Sequence, residues 1–190
     1  MSLEGKTIGI LITNSFYNFK IMIKELKKFI DQNANIILFI EESFYNTFKE
    51  DDFIKEVKHI TKNENIHSLQ EWDSSEFKNG IDVLIVLPST SNTIAKLAND
   101  ITDDFETMII HHSLKLEKPI VLAISCDDGL SSGAENLGKL FNIRNYYFVP
   151  FKQTNPITRP RAITFDSSYL YKTIICALNK DQIQPILLSI

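Results

Sequence analysis

The chain has 190 residues, 44% of them hydrophobic and 23% charged, an average mix that fills one core and excludes extended disorder. Its formal net charge of −4 supplies no basic field, which argues against nucleic acid or an anionic membrane as a partner. No apolar run approaches the roughly 20 residues of a membrane span, the polar Met1–Lys6 start is unlike a secretory leader, and Cys126 and Cys176 stand in neither metal-ligand nor disulfide spacing; the expectation is one cytoplasmic domain over residues 1–190.

Thr7–Ile12 is a short apolar run rich in β-branched residues, as in a strand buried on both faces. The polar turn Thr13-Asn14-Ser15 follows. Phe16, Phe19, Ile23, Leu26 and Ile30 then recur at helical spacing with lysines between them. Asn35–Ile40 reads as a second strand, Phe53, Val57 and Ile60 as a shorter helix, and Ile66–Leu69 as a brief extended segment. Ile81–Leu87 is a clear strand, expected to stop at Pro88, which has no N–H to donate. Ser91-Asn92-Thr93 is rich in capping side chains and opens a helix through Asn99. Asp103-Asp104 begins another helix, running to about Leu116, with acidic groups at its positive end. Pro119–Ile124 is a strand, Ser125–Gly133 a loop, Ala134–Phe141 a helix and Tyr146–Val149 a strand ended by Pro150. A loop with Pro156 and Pro160 leads to a closing helix, Ser167–Leu178, and Pro185–Ile190 reads as extended.

Alternating strands and helices imply right-handed βαβ crossovers and a mainly parallel sheet in a three-layer, doubly wound α/β sandwich of flavodoxin-like or Rossmann-like form. Ligands of such sheets bind beyond the carboxyl ends of the strands. Here those ends hold residues 13–15, 88–93, 125–133 and 150–156, and three of the four are dense in hydroxyl and amide groups. Helix N-termini beside such donors make a cradle for phosphate or carboxylate. GxGxxG, GxxxxGK[ST], GxSxG, HExxH and CxxC are all absent, which disfavours a dinucleotide-binding Rossmann protein and a P-loop NTPase.

The segment Pro88-Ser89-Thr90-Ser91-Asn92-Thr93-Ile94-Ala95-Lys96-Leu97-Ala98-Asn99 resembles the Pro-Ala-Ser-Ala-Asn-Thr motif of the FMN-binding flavoproteins that include the cysteine decarboxylases of coenzyme A and lantibiotic synthesis. Gly5–Gly9 with Thr13 and Ser15, Lys118–Leu122, Ile124-Ser125, Asp127 through Leu137, Asn145–Phe151 with Gln153, and Gln182–Pro185 extend the similarity over nearly the whole chain. Within the family it is most like the dipicolinate synthase B subunits. That resemblance implies an oxidoreductase subunit that supports conversion of a dihydrodipicolinate-type precursor to dipicolinic acid during sporulation. It also implies FMN as cofactor, a partner (the dipicolinate synthase A subunit) with a dinucleotide-binding fold that would carry NADP, and self-association into an oligomer. Two alternatives stay open. One is a flavin-dependent decarboxylase or prenyltransferase, although the decarboxylases carry a Pro-x-Met-Asn element where this chain reads Ser125-Cys126-Asp127-Asp128. The other is a non-catalytic scaffold that has lost flavin, since Leu11 and Asn14 replace family glycines.

The resemblance assigns Thr13, Asn14 and Ser15 to the FMN phosphate, and Ser89, Ser91, Asn92, Thr93 and Ser125 to the wider cofactor pocket. Asn92, whose amide both donates and accepts, and Asp127 are the candidate substrate contacts. Ser91 or Thr93 would equally serve as a helix N-cap. Asp127 and Asp128 would orient an amine or act as a base, but would repel a dicarboxylate unless a cation or an arginine intervened. Arg159 and Arg161 flank Pro160 on a late loop, where they would clamp a carboxylate, meet the partner subunit, or stand as solvated loop charges. Cys126 has no sequence-evident base to activate it. Adjacent His111 and His112 point about 100° apart on a helix and cannot share a metal. No catalytic residue is assigned.

Overall fold

Unbroken runs of β-branched residues and leucine build the centre of the molecule. In the computed structural model, which describes residues 3–13, 19–41, 45–47, 55–56, 59, 65–66, 71–72 and 80–189, the strands are β1 (Thr7–Ile12), β2 (Asn35–Ile40), β3 (Asn65–Ile66), β4 (Val83–Ser89), β5 (Ile120–Cys126), β6 (Tyr146–Phe148), β7 (Phe151–Asn155) and β8 (Arg159–Phe165). β1 and β4 are buried along their whole length, as strands covered on both faces must be. The predicted helix at Phe53, Val57 and Ile60 lies outside the described residues, as do Phe16 and positions 67–69.

The two-residue side-chain period sorts the sheet into faces. Ile8, Ile10, Ile12, Val83 and Ile85 pack with Leu26 and Phe29 of α1 (Phe19–Asp31) and with Ile174 and Ala177 near the carboxyl end of the chain. Leu11, Leu84, Val86, Leu122 and Ile124 point the other way. They meet Ile94 and Leu97 of α2 (Ser91–Ala98), Ile109 and Ile110 of α3 (Phe105–Lys115), and Leu137 and Leu140 of α4 (Ala134–Phe141). The closing helix is α5 (Leu170–Leu178), entered through a 3₁₀ turn at Ser167–Tyr169. Each fully buried Ile or Leu contributes roughly 1.5–3 kcal/mol, so the two faces together dominate stability.

The strands lie in the order β3-β2-β1-β4-β5, all parallel, with β6 parallel to the first half of β5. The chain winds outward from β1 to β2 and β3, then returns to the opposite side of β1 to lay down β4, β5 and β6. The winding therefore reverses between β1 and β4, which is where such sheets open a crevice.

Two sequence expectations are corrected here. β4 does not stop at Pro88 but runs through it to Ser89, with a register shift between Val86 and Ser89. The shift tolerates a residue with no N–H, and the Ser89 hydroxyl donates to the Val86 carbonyl across it at 3.2 Å. The predicted loop with Pro156 and Pro160 is instead the antiparallel hairpin β7–β8, whose Ile163 and Thr164 pair with Cys126 and Ser125 at the end of β5. Pro156 falls in the hairpin turn, where Asn155 Oδ1 accepts from the Ile157 and Thr158 N–H groups at 2.9 Å. Two prolines that signal interruption thus punctuate a strand pair instead of abolishing it.

The carboxyl-terminal segment covers sheet edges. The Gln182 amide pairs with both backbone groups of Phe148 in β6, at 2.7 and 2.8 Å. As expected for an extended end, Leu187 bridges Phe151 of β7.

Candidate functional site

The first wall of the site forms where β4 hands over to α2. Thr90 is the N-cap of that helix, accepting from the Thr93 N–H at 3.2 Å. The Thr93 hydroxyl is buried, lies 2.9 Å from that of Thr90 and donates to Glu106 at 3.1 Å. Lys96, one turn on, reaches Asp103 and Asp104 at 2.6 Å each, and these two carboxylates hold its ammonium above the ordinary lysine range. Asp104 caps α3 through a capping box with Thr107. Burial pushes its carboxyl up, but Lys96 and the Thr107 donors outweigh that and hold it below the ordinary aspartate value.

Beneath this turn, Thr13 at the end of β1 is fully buried, and its hydroxyl donates to the Pro88 carbonyl at 2.7 Å. That group is committed to joining β1 to β4. Asn14 and Ser15 lie outside the described residues.

The second wall comes from the end of β5. Ser125 and Cys126 pair with the hairpin, and Asp127 and Asp128 follow. The two aspartates have different tasks. Asp128 accepts from Ser91 at 2.6 Å and from Ser132 at 3.1 Å, tying the start of α2 to the loop before α4. Asp127 reaches across to Arg159 at the start of β8 and forms an ion pair with it. Gly129 lets the loop pass under the hairpin: a Cβ there would lie 2.5 Å from Ile163 and 2.8 Å from the Cys126 sulfur. Burial and the Asp128 charge push the Cys126 thiol up to about 11, against partial relief from hydrogen bonds with Ser91 and with the backbone at 128 and 129. At neutral pH this sulfur is a protonated thiol, not an activated nucleophile.

Between the walls is an open cleft of about 540 Å³ lined by Pro88, Thr90, Ser91 and Asn92, by Ser125, Cys126 and Asp127, and by Thr154, Arg159, Ile163 and Thr164 of the hairpin. Of the candidates named from sequence, it brings together Ser91, Asn92, Ser125 and Asp127. It does not include Ser89, Thr93 or Thr13, whose buried hydroxyls serve the β4 bulge, the α2–α3 corner and the β1–β4 join. Ser91 lines the cleft but spends its hydroxyl on Asp128. Asn92, Ser125, Thr154 and Thr164 make no side-chain hydrogen bond to another described residue. Sequence reasoning placed Thr154 in the 150–156 rim segment without naming it, and missed Ile163 and Thr164 because it read their segment as a loop; the strand-forming run Ile163-Thr164-Phe165 after an Asn-Pro turn was the signal available.

The histidines stand elsewhere. His112 meets the edge of Trp72 with ring centroids 5.6 Å apart, and His111 lies 3.7 Å from Asp100. Among the described residues, no group of three or more His, Cys, Asp or Glu is placed to hold a metal ion, and no helix is long and apolar enough to cross a membrane.

Residues 1–157 match the Flavoprotein family. The chain belongs to that family. It is 30% identical over 192 residues to the B subunit of dipicolinate synthase from Bacillus subtilis (strain 168), across 99% of this chain and 96% of the relative. The crystal structure of the corresponding B subunit from Bacillus halodurans superposes with a TM-score of 0.90 at 27% identity, covering 100% of this chain and 99% of that one. An FMN-dependent cysteine decarboxylase shares the fold alone, with a TM-score of 0.66 at 17% identity over 93% of this chain and 99% of its own. This flavoprotein is thus similar to the dipicolinate synthase B subunits from end to end.

Proposed function

We propose that this flavoprotein is the B subunit of a dipicolinate synthase, and that its cleft serves oxidation of a dihydrodipicolinate-type precursor to dipicolinic acid. The observation that carries the reading is the convergence of the β4–α2 turn, the β5 exit and the β7–β8 hairpin on one polar cleft, in a chain similar over its full length to two such subunits. The cleft volume falls within the range of small-molecule and cofactor sites. Its unspent groups suit a planar heteroaromatic guest with polar edges: an amide at Asn92 and hydroxyls at Ser125, Thr154 and Thr164.

The same groups fit FMN. Leu11, where the resemblance expects a glycine, is a fully buried core residue of β1 and is not among the residues that line the cleft. Bound FMN would supply a two-electron acceptor. The protein's share is orientation: Asn92 addresses a ring edge or a carboxylate, and Ser125 and Thr164, paired across β5 and β8, present hydroxyls from the opposite wall. We assign NADP to the partner A subunit of the synthase and place the complex in the cytoplasm, with this chain folding as a single domain that self-associates.

The test has two arms. Titration of the purified chain with FMN is expected to show saturable quenching of flavin fluorescence. Co-expression with the A subunit is expected to give a complex that forms dipicolinate, followed by its ultraviolet absorbance. An intact complex that forms none refutes the assignment. Release of carbon dioxide from a cysteinyl peptide would establish a decarboxylase instead.

A further inference from the structure

We propose that Arg159 is the carboxylate-binding residue of the cleft and that Asp127 occupies it in the free protein as an internal stand-in for the ligand. This rests on the cleft being the site of an anionic heteroaromatic. Among the described residues that line it, Arg159 is the one cation and Asp127 the one carboxylate. They come from different elements, 32 residues apart, and meet through one guanidinium nitrogen and one carboxylate oxygen. A guanidinium is a planar fork that matches a carboxylate with two parallel donors, so this single contact leaves donors for a better-placed acid.

Asp127 is also built to leave. Its side chain is 79% exposed and that of Arg159 is 53% exposed, and pairs so placed are weak. Asp128, one residue on, is not exchangeable in this way. Its carboxylate holds Ser91 and Ser132, and its backbone carbonyl accepts from the Ser131 and Gly133 N–H groups at 2.8 and 3.1 Å. The backbone that carries Arg159 is held independently of Asp127: β8 pairs with β7 at Asn155, and Gln153 donates to the Pro160 carbonyl at 2.7 Å. A dicarboxylate that takes Arg159 sends the Asp127 charge into water. A neutral ligand gains nothing by the exchange. The pair therefore both masks the cleft's positive charge and selects for an acid.

The experiment is calorimetric titration of the full chain with pyridine-2,6-dicarboxylate and, separately, with pyridine-2-carboxylate. The proteins are the natural chain, Asp127→Asn, Arg159→Lys and Arg159→Met, each also titrated with FMN. Removing the internal competitor in Asp127→Asn is expected to tighten dicarboxylate binding by up to about fivefold, the range an exposed pair supports. A misfolded variant cannot produce that gain. Arg159→Met is expected to weaken binding of both acids by roughly 10- to 100-fold, as for loss of a charge-assisted hydrogen bond; Arg159→Lys falls between. Saturable FMN binding by each variant shows that its cleft is intact. If FMN binds but Asp127→Asn fails to tighten the dicarboxylate, or Arg159→Met retains its affinity, the exchange is overturned while the flavin reading stands. If the natural chain binds neither FMN nor the dicarboxylate, the reading of the cleft falls and the exchange with it.

Discussion

Helix α2 has two polar flanks that the molecule uses in opposite ways. On the flank facing α3, the polar groups are consumed: Thr93 donates to Glu106, and Lys96 holds Asp103 and Asp104. On the flank facing the cleft, Asn92 has no such partner among the described residues, and the charges opposite it form an exposed pair. Both flanks belong to one run of hydroxyl and amide residues, so composition alone cannot separate them. What separates them is whether a neighbouring element delivers a complementary group. Where one does, the polar residue holds the fold; where none does, it is left to meet a ligand.

This contrast ranks substitutions by their effect on folding. The largest effect is expected at Thr13, because its hydroxyl donates to the Pro88 carbonyl in a fully buried setting. Thr13→Val keeps the shape and strands that carbonyl, which costs about 1–3 kcal/mol. For a chain of this size about 2 kcal/mol lowers Tm by roughly 4–8 °C, readable by circular dichroism. An unchanged Tm would place Thr13 among the unspent groups, where the family resemblance first put it.

Next is Asp104, the N-cap of α3, where Asp104→Ala is expected to cost about 1 kcal/mol. Its dependence on pH has a definite sign. The folded carboxyl titrates below its ordinary value of 3.8, so the unfolded chain binds the proton first as the solution is acidified. The ionised cap therefore stabilises fully above the ordinary value, and that contribution disappears as pH falls from there through the folded value. Urea midpoints of the natural chain and Asp104→Ala should differ at neutral pH and converge over that acid window. A difference that widened on acidification would contradict the account of the corner.

How much of this was legible beforehand follows the same division. Unbroken apolar runs located β1, β2 and β5, because burial on both faces leaves no polar positions, and three- and four-residue spacing located the amphipathic helix α1, because burial on one face leaves a repeating trace. The strand-end rule marked residues 13–15, 88–93, 125–133 and 150–156 as the rim, and of the candidates there Ser91, Asn92, Ser125 and Asp127 line one cleft. Periodicity could not show that Ser89 and Thr93 turn inward: Ser89 bonds back to Val86 across the register shift of its own strand, and Glu106, the partner of Thr93, is brought up on another helix by tertiary packing. Nor could it show the β7–β8 hairpin, because Pro156 and Pro160 mark an interruption whether the flanking residues pair or not. Arg159 was visible as a cation near a proline. Its position opposite Asp127 depends on β8 running antiparallel to the end of β5.

The smallest folding effect is expected at Asn92. Its amide is exposed and makes no hydrogen bond to another described residue, and alanine is the better helix former, so Asn92→Ala should stay within about 0.5 kcal/mol of the natural chain. If Asn92 meets a guest, the same substitution should weaken FMN or pyridine-2,6-dicarboxylate by up to about tenfold, the yield of one good hydrogen bond. The informative result is the pairing of the two measurements with those for Thr13→Val. A group held for a ligand loses affinity at constant Tm, whereas a group committed to the fold lowers Tm first and loses affinity only through unfolding. Should Asn92→Ala lower Tm as Thr13→Val does, the two flanks of α2 would differ in degree and not in kind, and the cleft would have to be explained as packing.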